Sequence, residues 1–83
     1  MTCSNQRIQA TAAHGIRLRI QARRELHRGH GRVAVEILRV AAVLRPKDAD
    51  VWADLAAALE AVGDRRGSAS SAKIATALRE IVK

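Results

Sequence analysis

Aromatic side chains are nearly missing: Trp52 is the single aromatic among 83 residues, with no Tyr and no Phe. Sheets draw on aromatic and β-branched pairs across strands, so this scarcity weighs against a β core. Proline occurs once, at Pro46, and glycine five times, too few to punctuate the many turns of an all-β domain. One cysteine, Cys3, excludes an internal disulfide and suits a reducing compartment, so a cytoplasmic location is expected. No apolar run nears the roughly 18 residues that a membrane-spanning helix needs. There is no Gly-rich phosphate loop, nucleophile elbow or paired-carboxylate motif, and Cys3 has no paired His. Neither an enzyme nor a cofactor is therefore expected. His27 and His30 have a ligand-like spacing, but Gly29 breaks their shared helical face and no Cys or acid completes a site, so no metal is expected.

The chain does hold Ala, Val, Leu and Ile, which dominate a hydrophobic fraction of 48%, with helix-like spacing. Ile8, Ala12, Ile16 and Ile20 recur every four residues, so a helix is expected from near Asn5 onward. Residues 1–24 contain Arg, Ser and Thr but no acid, as organelle presequences do; the unbroken periodicity reads instead as one structural helix. From Gly15 to Arg28, Ile16, Ile20, Ala22 and Leu26 form the predicted apolar face. Gly29-His30-Gly31 breaks that helix. A second helix over Arg32–Leu44 carries the stripe Val33, Ile37, Val40, Ala41 and Leu44. Arg45-Pro46 ends it, and Asp48 caps a third helix, about Ala49–Val62, with Val51, Trp52, Leu55, Ala56, Leu59 and Val62 inward. Gly63 closes this helix, and Asp64-Arg65-Arg66-Gly67 reads as a polar turn. A fourth helix is expected from about Ser68 to Val82, burying Ala72, Ala75, Leu78 and Ile81 or Val82, with Ile74 flanking.

Charge is unevenly spread. Residues 1–47 carry nine Arg and Lys47 against Glu25 and Glu36, a net +8, whereas residues 48–83 carry five basic and six acidic residues, a net −1. An acidic partner would meet the N-terminal half first.

One fixed period relates Leu18 to Trp52, Ala22 to Ala56, Gly29 to Gly63, Arg32 to Arg66 and Ala41 to Ala75. With this period the chain resembles the tetratricopeptide repeat family, whose unit is two antiparallel helices of the same combined length. In the second repeat Trp52, Leu55, Ala56, Leu59 and Gly63 fall on the family's large, Leu-Gly, large and turn positions. In the first, Ala22, Gly29, Ala34, Ala41 and Pro46 fall on the small, turn, small, small and proline positions. Gln21 and Glu25 depart from the pattern, as do Ser68, Ala72 and Glu80. The expected fold is therefore all-α, a two-repeat α-solenoid stretch with a helical N-terminal extension. Its expected divisions are an extension over 1–14, repeat one over 15–48 and repeat two over 49–83.

The resemblance implies a protein–protein interaction module, with no catalysis. The first helix of each repeat would line a groove for a peptide or partner helix, an acidic one being favoured by Arg19 and Arg23. His27, Asp50 and Glu60 complete the expected specificity set. The family's carboxylate clamp also takes groove asparagines, and the one Asn is Asn5, outside the repeats. Ile74, Leu78, Ile81 and Val82 on the last helix are expected to form a partner or self-association face, the latter giving a homodimer. Small tetratricopeptide-like chaperones of bacterial type III secretion are an alternative role on the same fold. Nucleic-acid binding is a further alternative on charge, against which stand the missing stacking aromatics and the spread of Arg17, Arg19, Arg23, Arg24 and Arg28 around their helix.

Overall fold

The computed structural model describes residues 3–81, with the side chains of the first helix described from His14 onward. Four helices follow in order: α1 (Cys3–His27), α2 (Gly31–Leu44), α3 (Ala49–Ala61) and α4 (Arg65–Ile81), with no strand among the described residues. Three-residue turns join α1 to α2 and α3 to α4, making two hairpins, and four residues link the hairpins. Each helix packs against the next in sequence, and α1 also touches α3. The result is a slab of 46 × 31 × 15 Å. Among the described residues no helix is long and apolar enough to cross a membrane.

Local chemistry explains the boundaries. Gly29 and Gly63 both have positive φ, 82° and 87°, where a Cβ would crowd the backbone. Around Gly29 the His30 N–H donates to Glu25 O at 2.8 Å and the Gly29 N–H to Leu26 O at 3.0 Å. Around Gly63 the Asp64 N–H donates to Leu59 O at 2.9 Å and the Gly63 N–H to Glu60 O at 3.0 Å. Both turns are Schellman closures, and the two closing bonds of the first recur in the second one sequence period later. Between the hairpins, Asp48 accepts from the Asp50 N–H at 3.0 Å and from Arg45 Nε at 2.9 Å, capping α3. Trp52 Nε1 donates to Pro46 O at 2.7 Å, tying the first turn of α3 to the linker.

The fourth helix starts at Arg65, three residues before the expected Ser68. Asp64 accepts from the Gly67 N–H at 2.9 Å, so the stretch read as a polar turn is a helix cap followed by a first turn. At the other end α1 begins at Cys3 and runs unbroken into the first hairpin. The expected inward positions Ile8 and Ala12 lie outside the described side chains.

The core sits between α1, α2 and α3. Ala22, Ala34, Val35, Leu38, Leu55, Ala58 and Leu59 form one cluster, with Leu26, Ile37 and Trp52 against it. Ala41, Ala42 and Val51 form a second, with Leu18 and Trp52 against it. Alanines at Ala22, Ala34, Ala41 and Ala58 are wholly buried, which lets the helices approach closely.

Several expected faces are rotated. On α2 the buried set is Ala34, Val35, Leu38, Ala41 and Ala42, while Val33 and Val40 are 48% and 50% exposed. That helix lies against both α1 and α3, and two neighbours select a face centred on Leu38. On α1, Ile16 and Ile20 are exposed, because Leu18, Ala22 and Leu26 take the inward line. Trp52 is half-buried and Val62 exposed. On α4 the buried residues are Ser71 and Ala75; Ala72 is exposed and Ile81 is 79% exposed. Val82 lies outside the described residues.

Candidate functional site

Two surfaces can do chemistry. The first is the face shared by α1 and α3. Arg19 and Arg23 lie one helical turn apart on α1, and Asp50 and Asp54 one turn apart on α3, so two cations oppose two anions. Arg19 Nε donates to Asp54 Oδ2, and Arg19 Nη1 lies 3.9 Å from Asp50 Oδ2. Arg23 Nε stands 3.7 Å from the same Asp54 oxygen, and Arg79 of α4 reaches Asp50 Oδ1 at 3.3 Å. Partial burial alone would lower the Arg19 pKa; the Asp54 hydrogen bond and the charges of Asp54, Asp50 and Asp48 outweigh it and hold the pKa above its ordinary value.

Arg19, Arg23 and Asp50 are thus brought together, and Arg19 is committed within the chain. The Arg23 and Asp50 side chains keep 61% and 57% of their surface in solvent. His27 and Glu60 are exposed and take no part in this network. Asp54, the residue that gathers the arginines, is absent from the sequence-derived set. Its signal was present as an Asp50/Asp54 pair matching the Arg19/Arg23 spacing.

The second surface is a cleft of about 490 Å³ between α2 and α4, with α3 beneath. Trp52, Leu55, Leu59 and Ala42 supply its apolar lining, Val43 and Ile74 its walls, and Arg39, Asp64 and Ser70 add polar groups. Val43 is 79% exposed and Ile74 39%. The α4 wall is thin at Ser71, which stands one period after Ile37; Gly67 is instead closed in, with Asp64 and Leu59 atoms within 3.1 Å of where a Cβ would sit.

The expected α4 face divides. Ile74 and Ile81, seven apart, share one flank of the helix, with Ile74 in the cleft. Leu78 is half-buried and lines a separate small pocket with Lys47, Asp48, Ala49, Asp50 and Arg79.

At the first hairpin turn Glu25 meets His30 Nδ1 at 2.7 Å and Arg28 Nη1 at 3.3 Å. The His30 hydrogen bond, and then the charges of His30 and Arg28, hold the Glu25 carboxyl below the usual range against the opposing pull of desolvation. Among the described residues no three His, Cys, Asp or Glu side chains gather as a metal site would require. No protein-family model matches the chain, and no curated protein or solved structure matches it either.

Proposed function

We propose that this chain is a two-hairpin module of the tetratricopeptide kind that holds another polypeptide, and that the cleft between α2 and α4 is where it does so. The cleft carries this reading. It is concave and lined by Trp52, Leu55 and Leu59, and exposed Val43 and Ile74 give a partner apolar surface beside the opening. Interfaces concentrate their energy where a few apolar anchors enter such pockets, within a polar rim. The occupant is an amphipathic helix or short segment that inserts one large apolar side chain and pairs its polar flank with Arg39 and Asp64. Support for the repeat reading comes from the two Schellman turns, whose paired closing bonds match one period apart. Arg23, Asp50, His27 and Glu60 provide a second, polar surface that can extend the contact; no catalytic role is assigned to any of them.

A photocrosslinking residue placed at Val43 or at Ile74 in the intact chain tests the proposal. Crosslinks to a polypeptide are expected at both positions and not at exposed Thr76, with loss on combining Val43→Asp and Ile74→Asp. The single Trp52 lines the same cleft, so its emission should shift as the partner binds. Crosslinks from His27 and Glu60 but none from the cleft would move the binding surface to the α1–α3 face and overturn this assignment.

A further inference from the structure

The arginines from Arg17 to Arg28 are sorted between two faces. Arg19 and Arg23 turn toward α3, where Asp54 takes both. Arg17 and Arg24 are seven residues apart on α1, and Arg28, just past its end with its N–H on Arg24 O at 3.1 Å, follows four residues later on the same ridge. All three are exposed, and with Ile20, Gln21 and Glu25 they line a shallow depression of about 430 Å³ on the outer surface. Glu25 is the one acid in that lining, and it is engaged by His30 at 2.7 Å and by Arg28 at 3.3 Å. The ridge is therefore distinct from the face that the aspartates neutralise.

We propose that this ridge grips the phosphate backbone of duplex nucleic acid, without reading its sequence. Guanidinium groups present paired N–H donors that match phosphate oxygens. The eleven residue steps from Arg17 to Arg28 span about 16 Å at 1.5 Å per residue, or about five base steps of a duplex at 3.4 Å each. Among the described residues Ile20 is the one large apolar side chain lining the depression, with exposed Ile16 one turn away at its flank, too little for the apolar core of a protein interface or for insertion among lipid tails. Trp52 lines the α2–α4 cleft, which shares no lining residue with the ridge, and α1 has no aromatic, so base stacking on a single strand has no platform there. This surface is separate from the polypeptide cleft, and the two can be occupied together.

Fluorescence anisotropy with a labelled duplex of about 20 base pairs, titrated with the full chain between about 50 and 200 mM salt, reads the ridge directly. Three phosphate contacts should give a slope of log K against log salt near −3, at about −0.9 per contact, unchanged when the duplex sequence is scrambled. The combined variant Arg17→Gln, Arg24→Gln and Arg28→Gln should flatten the slope to near zero. The matching Arg→Lys triple should keep most of it, as should Arg65→Gln with Arg66→Gln and Val43→Asp with Ile74→Asp. Circular dichroism verifies that each variant is folded; if the Gln triple is not, the wild-type slope and Lys triple decide. A wild-type slope shallower than about −1 overturns the proposal, since it leaves about one contact. So does an unchanged slope in a folded Gln triple, or arginine-dependent binding to polyglutamate or phosphatidylserine vesicles that the duplex does not share.

Discussion

Helices α2 and α4 hold equivalent places in the two hairpins, yet they are attached to the molecule by different means. Helix α2 buries Val35 and Leu38 among its alanines and lies against both α1 and α3. Helix α4 buries Ser71 and Ala75 and rests on α3 alone. Position by position, Ala34, Val35, Ile37, Leu38 and Ala42 give way one period later to Ser68, Ala69, Ser71, Ala72 and Thr76. The backbone plan repeats while side-chain volume drains from the second copy. A hairpin turn needs only its glycine and its hydrogen bonds, so the second hairpin closes as well as the first. What it forgoes is packing, and at Ser71 the missing volume opens onto the α2–α4 cleft.

The sharpest way to break this contrast is Leu38→Ala. Leu38 is wholly buried, and the substitution should cost about 2–5 kcal/mol in denaturant unfolding. Its counterpart Ala72→Leu, on an exposed position, should stay within about 0.5 kcal/mol of wild type. Similar effects at the two sites would show that α4 is as firmly packed as α2.

Next in size are the turns. Gly29→Ala and Gly63→Ala each force a Cβ into left-handed backbone and should each cost about 1–2 kcal/mol. Neither position has an atom within 4 Å of the added carbon, so backbone strain alone should decide both. Thermal melts that give clearly unequal losses would deny that the turns are equivalent.

Removing the α3 cap by Asp48→Ala should cost about 1 kcal/mol. Desolvation pushes the Asp48 carboxyl upward, but hydrogen bonds from Arg45 and from the Asp50 N–H outweigh it, and its pKa lies below the ordinary aspartate value. The ionised form is thus favoured by folding. Its stabilisation is complete above the ordinary aspartate pKa, near 4, and fades as pH falls through the lower folded value. Melts at decreasing pH should show a smaller acid loss in Asp48→Asn than in wild type. Least of all, Ser71→Val should partly fill the cleft and add roughly 0.8 kcal/mol. Unchanged or lower stability would mean that the α4 wall has no spare room.

Much of the scaffold was legible because punctuation is local. Gly29, Gly63, Pro46 and Asp48 mark their boundaries through backbone rules that act over a few residues, and the helices lie where those marks put them. The α4 start was hidden because Asp64 and Gly67 resemble turn residues until the Asp64 cap bond is seen. The buried face of α2 was harder to read. Val33, Ile37, Val40, Ala41 and Leu44 make as good an apolar stripe as Ala34, Val35, Leu38 and Ala42; Ala41 is buried as expected, and the placement of α1 and α3 chooses among the rest. The charged face was half legible for a similar reason. Arg19, Arg23 and Asp50 stood out singly, but Asp54 gains meaning when α3 is laid beside α1. The cleft could not be read from spacing at all, because it is an absence of volume between helices α2 and α4, which are not adjacent in sequence.

Packing of each helix chiefly on its sequence neighbour has a kinetic consequence. Contacts in this chain close short loops, and the farthest-reaching ones join α1 to α3. A chain of low contact order does not wait on distant segments to meet, and helical domains of this kind fold in microseconds to milliseconds. The first hairpin with α3 holds both apolar clusters, so it should assemble as the nucleus. Docking of α4 then comes late in folding and its release early in unfolding, which would open the cleft wall at Ile74 while the other three helices stay together.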